Sequence, residues 1–134
     1  MYFKEEYFEE ENRYGFLVSQ DMKRAWAAQL EVLEEVKRVC AILDIKFYAD
    51  WGTMLGAVRH HGFIPWDDDM DIAMLRKDYM RFLSEAPALL GQYYEIKSVY
   101  NDPEDDTIKA RIINGRHICF EPDFLARFHG CPYV

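Results

Sequence analysis

The sequence predicts an α+β domain, and three observations predict it. Met22, Trp26, Leu30, Leu33, Val36, Cys40 and Leu43 recur at three and four residues, the period of one helical face. Short aromatic or alternating runs, such as Lys46-Phe-Tyr-Ala49, have the length and composition of strands. Asn114-Gly115 between two apolar runs is a hairpin signal.

Residues 1–15 read as an acidic lead-in that need not be ordered, and 16–134 as the domain. Ser19 is placed to cap a helix over Gln20 to Leu43, with Asp21 near its positive end. Cys40 lies on that helix's apolar stripe and is expected in the core. Gly52-Thr53 breaks the strand at 46–49, and a short helix follows from Met54 to Arg59, ended by Gly62. Ile64, before Pro65, should be extended. Asp69 to Leu75 alternates, so a strand there would set Asp69, Asp71 and Ala73 on one face and Met70, Ile72 and Met74 on the other. A second helix is expected over Lys77 to Leu90, ended or kinked at Pro87. Tyr93 to Tyr100 reads as a strand and 101–106 as a turn. Strands are expected over Thr107 to Ile113 and His117 to Phe120.

The chain has 134 residues, half of them hydrophobic, so it can bury a core. Its 16 Lys plus Arg against 24 Asp plus Glu leave a net charge of −8. That balance argues against general nucleic-acid binding. Cys40, Cys119 and Cys131 make an odd count, which fits a reducing compartment and not a disulfide framework. No apolar run is long enough to span a bilayer. A cytoplasmic protein is the expectation.

The chemistry concentrates between Asp50 and Met74. Asp67, Asp68, Asp69 and Asp71 crowd one short segment, and such carboxylates raise one another's pKa unless a cation neutralises them. Asp69 and Asp71 at i and i+2 on a strand could share a hard cation, Mg²⁺ or Mn²⁺, with substrate phosphates. A solvated acidic turn has the same composition. Gly52 lets backbone approach a ligand, Thr53 adds a hydroxyl, and the following helix would aim N–H groups at an anion. An ordinary strand-to-helix turn would look alike. Arg59 matches phosphate geometry, with His60 beside it. Trp66 could stack on a base, wall the pocket or join the core. His117-x-Cys119 and His129-x-Cys131 lack the usual structural-zinc spacing.

The run from Gly52 to Ile72, Gly-Thr-Met-Leu-Gly-Ala-Val-Arg-His-His-Gly-Phe-Ile-Pro-Trp-Asp-Asp-Asp-Met-Asp-Ile, strongly resembles the signature of the LicD family, which includes fukutin and fukutin-related protein. Met54 replaces the family's first Leu. Lys109-Ala-Arg111 resembles a basic strand motif downstream in the family. The resemblance implies a nucleotidyltransferase-like fold, a small mixed sheet flanked by helices. It implies Asp69 and Asp71 as catalytic metal ligands, Gly52, Thr53, Arg59, His60, Lys109 and Arg111 near phosphate, and Asp67, Asp68 and Trp66 around them.

The implied reaction moves a phospho-alcohol, such as phosphocholine, from a CDP-linked donor to a hydroxyl of a surface glycan, for example lipopolysaccharide or teichoic acid. Nucleotidyl transfer on the same fold is the alternative. A binding module or incompetent fragment is the third reading, because the fold's third carboxylate is expected beyond Cys131-Pro-Tyr-Val134 and the flanking Pro122 makes Glu121 and Asp123 poor substitutes. The fold is accordingly expected to be incomplete at the C-terminus. Peripheral membrane association and self-association through bared core faces are compatible with this reading.

Overall fold

The computed structural model describes residues 2–103 and 108–115. Its architecture is α+β, with three α-helices among six short strands. The stretch read as an acidic lead-in carries structure of its own. A 3-10 turn at Glu5–Phe8 precedes a hairpin, β1 (Glu11–Arg13) and β2 (Phe16–Val18). Tyr14 and Gly15 turn it with positive φ of 54° and 82°. An ion pair anchors the hairpin, since Glu11 meets Lys23 at 2.8 Å and Arg13 at 2.7 Å. A net-acidic composition hides this pairing, which needs a lysine from the following helix.

Helix α1 spans Gln20–Leu43, and Ser19 Oγ accepts from Met22 N–H at its start. Asp44 ends it in the left-handed conformation. Its apolar stripe is buried as expected at Trp26, Val36 and Cys40. Its first half is buried more widely, at Lys23, Ala25, Ala27, Ala28 and Gln29 as well. Lys23 takes Glu11 of the N-terminal hairpin, and Trp26 meets both Arg13 and the acidic segment. Burial pushes the Cys40 thiol up to about 11, the behaviour of a core cysteine.

Strand β3 (Phe47–Ala49) pairs antiparallel with β4 (Ile72–Met74), with Phe47 opposite Met74 and Ala49 opposite Ile72. Helix α2 (Trp51–Arg59) lies between them in sequence. It begins three residues earlier than expected, because Asp50 caps it and accepts from Trp51 N–H. The strand ends at Ala49 as expected, and Gly52 and Thr53 form the first turn of the helix that follows it. Strand β4 is also shorter than the alternation suggests. Asp71 N–H is held by the Thr53 hydroxyl at 2.8 Å, while Asp71 C=O accepts from Asp50 N–H at 3.1 Å.

Helix α3 (Arg76–Glu85) passes into a 3-10 turn at Ala86–Ala88, where Pro87 ends the α-helical bonding. Strand β5 (Tyr94–Lys97) pairs antiparallel with β6 (Arg111–Asn114). The strand read over 93–100 stops early because Ser98 and Asn101 close a turn through Ser98 N–H to Asn101 Oδ1, 2.8 Å. Asn114 is not an exposed turn residue. It is buried at the end of β6, and its side chain donates to Glu31. The strand expected at His117 to Phe120 lies outside the described residues, as do the two His-x-Cys pairs, Glu121 and Asp123.

One core joins these parts. Val36, Val39, Cys40, Ile45, Phe82, Ala86 and Ile96 are buried together, with Phe47, Ile72, Met74 and Ile112 against them. Ile72 and Met74 thus face the core, as the alternation predicts. Arg81 of α3 donates to Leu43 C=O at 3.1 Å, tying α3 to the end of α1.

Candidate active site

The acidic segment is held by its backbone. Trp26 Nε1 donates to Asp67 C=O at 2.7 Å, and Gln29 donates to Asp68 C=O. Both donors come from the buried face of α1. Trp26 also stacks on Phe63, rings 4.7 Å apart and nearly parallel. With the Asp67 and Asp68 carbonyls held by α1, the carboxylates of Asp67 and Asp69 meet each other. Neither anchor was legible in the sequence, where Trp26 reads as part of the apolar stripe and Gln29 carries no signal.

Asp67 reaches the first turn of α2. Its carboxylate lies against the Gly52 Cα, where any side chain would collide with it. Its pKa is raised, first by burial, then by the charges of Asp69 and Asp68, a hydrogen bond shared with Asp69, and the charge of Asp71. Asp67 and Asp69 are therefore brought together, whereas the carboxylate of Asp71 is joined by the Lys109 ammonium at 3.0 Å. A cavity of about 170 Å³ opens here, lined by Gly52, Thr53, Asp67, Asp69 and Met70 with Leu30 and Phe63. It has room for a cation and a phosphate group but not a whole nucleotide donor. A larger cavity, about 560 Å³, lies between the N-terminal segment and α1, lined by Phe3, Phe8, Ala27 and Ala28 among others. None of the aspartates of the acidic segment lines it.

The remaining expected residues are spread around this point. Gly52 and Arg59 stand at opposite ends of α2, roughly 10 Å apart at the helical rise. Arg59 Nε approaches His60 Nδ1 at 3.3 Å. Desolvation and then the Arg59 charge hold the His60 pKa below its usual value, which favours the neutral ring. His60 lies edge-on to Tyr14 and Trp66, and Trp66 edge-on to Phe16, so these rings meet the N-terminal hairpin. Lys109 arrives from the segment before β6. Arg111 starts β6 opposite Lys97 and is exposed.

Among the described residues no three His, Cys, Asp or Glu side chains gather as a ready metal cage. The donor set nevertheless suits a hard cation. Asp67 and Asp69 offer carboxylate oxygens at a cavity, and Mg²⁺ is commonly held by one or two carboxylates completed by substrate phosphates and water.

A pH effect follows from the raised Asp67 pKa. Its unfolded value is 3.8 and its folded value lies higher. The folded state then binds the proton more tightly, so stability falls as pH rises from the unfolded value through the folded one. Asp67→Asn should raise the melting temperature of the metal-free protein at pH 7, and the gain should disappear in acid. Thermal melts in chelator across pH 3.5–7 check this, and an equal gain at every pH would exclude the carboxylate as its source.

The family model described as LicD/FKTN/FKRP, nucleotidyltransferase domain, matches residues 44–119, more than half of the chain. The chain belongs to the LicD family. The match covers α2, the acidic segment and β3 to β6. A lipopolysaccharide cholinephosphotransferase LicD of Haemophilus influenzae is 44% identical over 54 residues, 40% of this chain and 20% of that protein. Uncharacterized proteins of Rickettsia typhi and Rickettsia prowazekii are 36% and 33% identical, over 50% and 53% of this chain and 22% and 27% of their own lengths. The matched stretches thus span about a fifth to a quarter of these relatives. No solved structure matches the chain. No helix among the described residues is long and apolar enough to cross a membrane.

Proposed function

We propose that this LicD-family domain transfers a phospho-alcohol, phosphocholine or a close analogue, from a CDP-linked donor to a hydroxyl of a cell-surface glycan. The observation that carries the reading is the meeting of Asp67 and Asp69 at the first turn of α2, with the Asp71–Lys109 ion pair on the same short segment. The name of the Haemophilus influenzae relative supports phosphocholine as the group moved and lipopolysaccharide as the kind of acceptor.

Asp69 would hold the divalent cation, Mg²⁺ or Mn²⁺, with Asp67 and Asp71 as the neighbouring carboxylates. A cation held there would supply charge neutralisation for the donor's diphosphate and the leaving CMP. Gly52 leaves room for the Asp67 carboxylate at the turn, and the first-turn N–H groups of α2 face an anion favourably. Thr53 positions Asp71 through the backbone. Lys109 would supply positive charge beside Asp71. The acceptor oxygen attacks the alcohol-bearing phosphorus, the bond from that phosphorus to the CMP oxygen breaks, and the hydroxyl proton passes to solvent. Positioning and charge neutralisation do most of this work. Arg59 and His60, at the far end of α2, would act on a part of the donor or acceptor that extends beyond the cavity.

The test is product analysis with CDP-choline, Mn²⁺ and a lipopolysaccharide acceptor. CMP with phosphocholine on the acceptor is the expected result. Pyrophosphate from a nucleoside triphosphate, with a nucleotide on the acceptor, would replace the reading with nucleotidyl transfer. Neither product would make this chain a binding module in place of an enzyme.

A further inference from the structure

Four rings meet at the far end of α2. His60 lies edge-on to Tyr14, centroids 5.0 Å apart, and to Trp66 at 5.9 Å, and Trp66 lies edge-on to Phe16 at 6.0 Å. Two of these rings are open to water, since Tyr14 is 72% exposed and Trp66 54%. Tyr14 also holds a φ of +54°, a region that bulky residues avoid. Rings this exposed add little to the core. Arg59 borders them. Its Nε approaches His60 Nδ1 at 3.3 Å, and its two terminal amino groups have no partner among the described residues.

Two ligand classes suit exposed rings, a quaternary ammonium and a nucleobase. Charge and reach choose between them. The Arg59 guanidinium repels an ammonium, whereas cytosine offers its donors two acceptors, O2 and N3. Arg59 stands roughly 10 Å along α2 from the Gly52 turn, against which the Asp67 carboxylate lies. Choline's nitrogen is only two carbons from its phosphate oxygen, too short a span from a phosphate held at the aspartates. A cytosine lies beyond a ribose and reaches farther. Trp66 adjoins Asp67 in the chain, so the rings begin where the acidic segment does.

We propose that Trp66 and Tyr14 form a stacking seat for the cytosine of the donor, with Arg59 donating to its O2 and N3. This rests on the reading of a CDP-linked donor above. Tyr14 and Phe16 lie outside residues 44–119, so the N-terminal hairpin supplies a part of donor recognition that the family-matched stretch does not hold.

Calorimetric titration of CDP-choline, CMP, phosphocholine and inorganic pyrophosphate into the full chain, each with Mn²⁺, tests this. Trp66→Leu and Tyr14→Leu should each weaken CDP-choline and CMP at least about five-fold, the low end of one base–aromatic stack. Both should leave pyrophosphate and Mn²⁺ alone unchanged, which also shows that the variants are folded. Trp66→Phe keeps a π face and should restore part of the loss. Arg59→Gln should weaken CMP more than UMP, because N3 of uracil carries a hydrogen and accepts nothing. Phosphocholine weakened in place of CMP would give the rings to the alcohol and overturn the proposal. Pyrophosphate weakened as much as CMP would mean that the rings act through the aspartates, and overturns it too. CDP-choline bound equally by the parent and both ring variants overturns this inference alone. No binding of CDP-choline by the parent overturns it together with the donor reading.

Discussion

Gly56→Ala is expected to destabilise the protein by about 2–3 kcal/mol or more, because the added methyl overpacks against backbone. Gly56 is buried in α2, and a Cβ there would lie 2.5 Å from Gly62 C=O, 3.2 Å from Ile64 N and 3.3 Å from Ile64 Cγ1. Two of those three atoms are backbone, so no rotamer change relieves the overlap. The gain in helix propensity from Gly to Ala, about 1 kcal/mol, offsets only part of this. The residues pushed away lead into Pro65 and the acidic segment, so the aspartates should shift as well. Urea or thermal unfolding measures the loss. A variant as stable as the parent would mean that α2 does not pack this closely on the 62–64 loop.

Gly52→Ala should act in the opposite way, on binding and not on stability. The new methyl would overlap Asp67 Oδ2 and sit 3.5 Å from Asp67 Cγ. A carboxylate at the end of a side chain can swing aside, so the fold survives. The swing takes Asp67 away from Asp69 and fills the closest approach to the helix turn. Affinity for Mn²⁺ and for donor should fall at least about ten-fold, the scale of one lost charged contact. The melting temperature should hold or rise slightly. Gly62→Ala gives the comparison, since a Cβ there meets nothing within 4 Å. It should leave both quantities unchanged. Equal binding by the Gly52 and Gly62 variants would show that the Asp67–Gly52 contact has no part in the site.

Local signals were legible in the sequence. Helix α1 has a helical apolar period and a Ser19 cap within a few residues of each other, and both its ends fall where the pattern puts them. Pro87 marks the end of α3 for an equally local reason. The Gly52–Ile72 run was legible as a family signature, and the family match bears that out. What was not legible depends on residues far apart in the chain. Trp26 and Gln29 take the carbonyls of residues 41 and 39 positions away, which no periodicity reveals. The alternation rule placed Asp69 and Asp71 on one strand face, but strand pairing begins only at Ile72. Thr53 and Asp50 instead hold the Asp71 backbone, and Asp67 turns toward Asp69. The role of Lys109 at Asp71 spans 38 residues and had no signal beyond the basic motif.

The central claim is that the aspartate cluster holds a divalent cation against a CDP-linked donor. Calorimetric titration of CDP-choline, with and without Mn²⁺, into this chain and into Asp69→Asn tests it most directly. The account predicts donor binding that requires Mn²⁺ and that weakens at least about ten-fold in the variant. Donor binding of equal strength in both proteins, or binding indifferent to Mn²⁺, would contradict it.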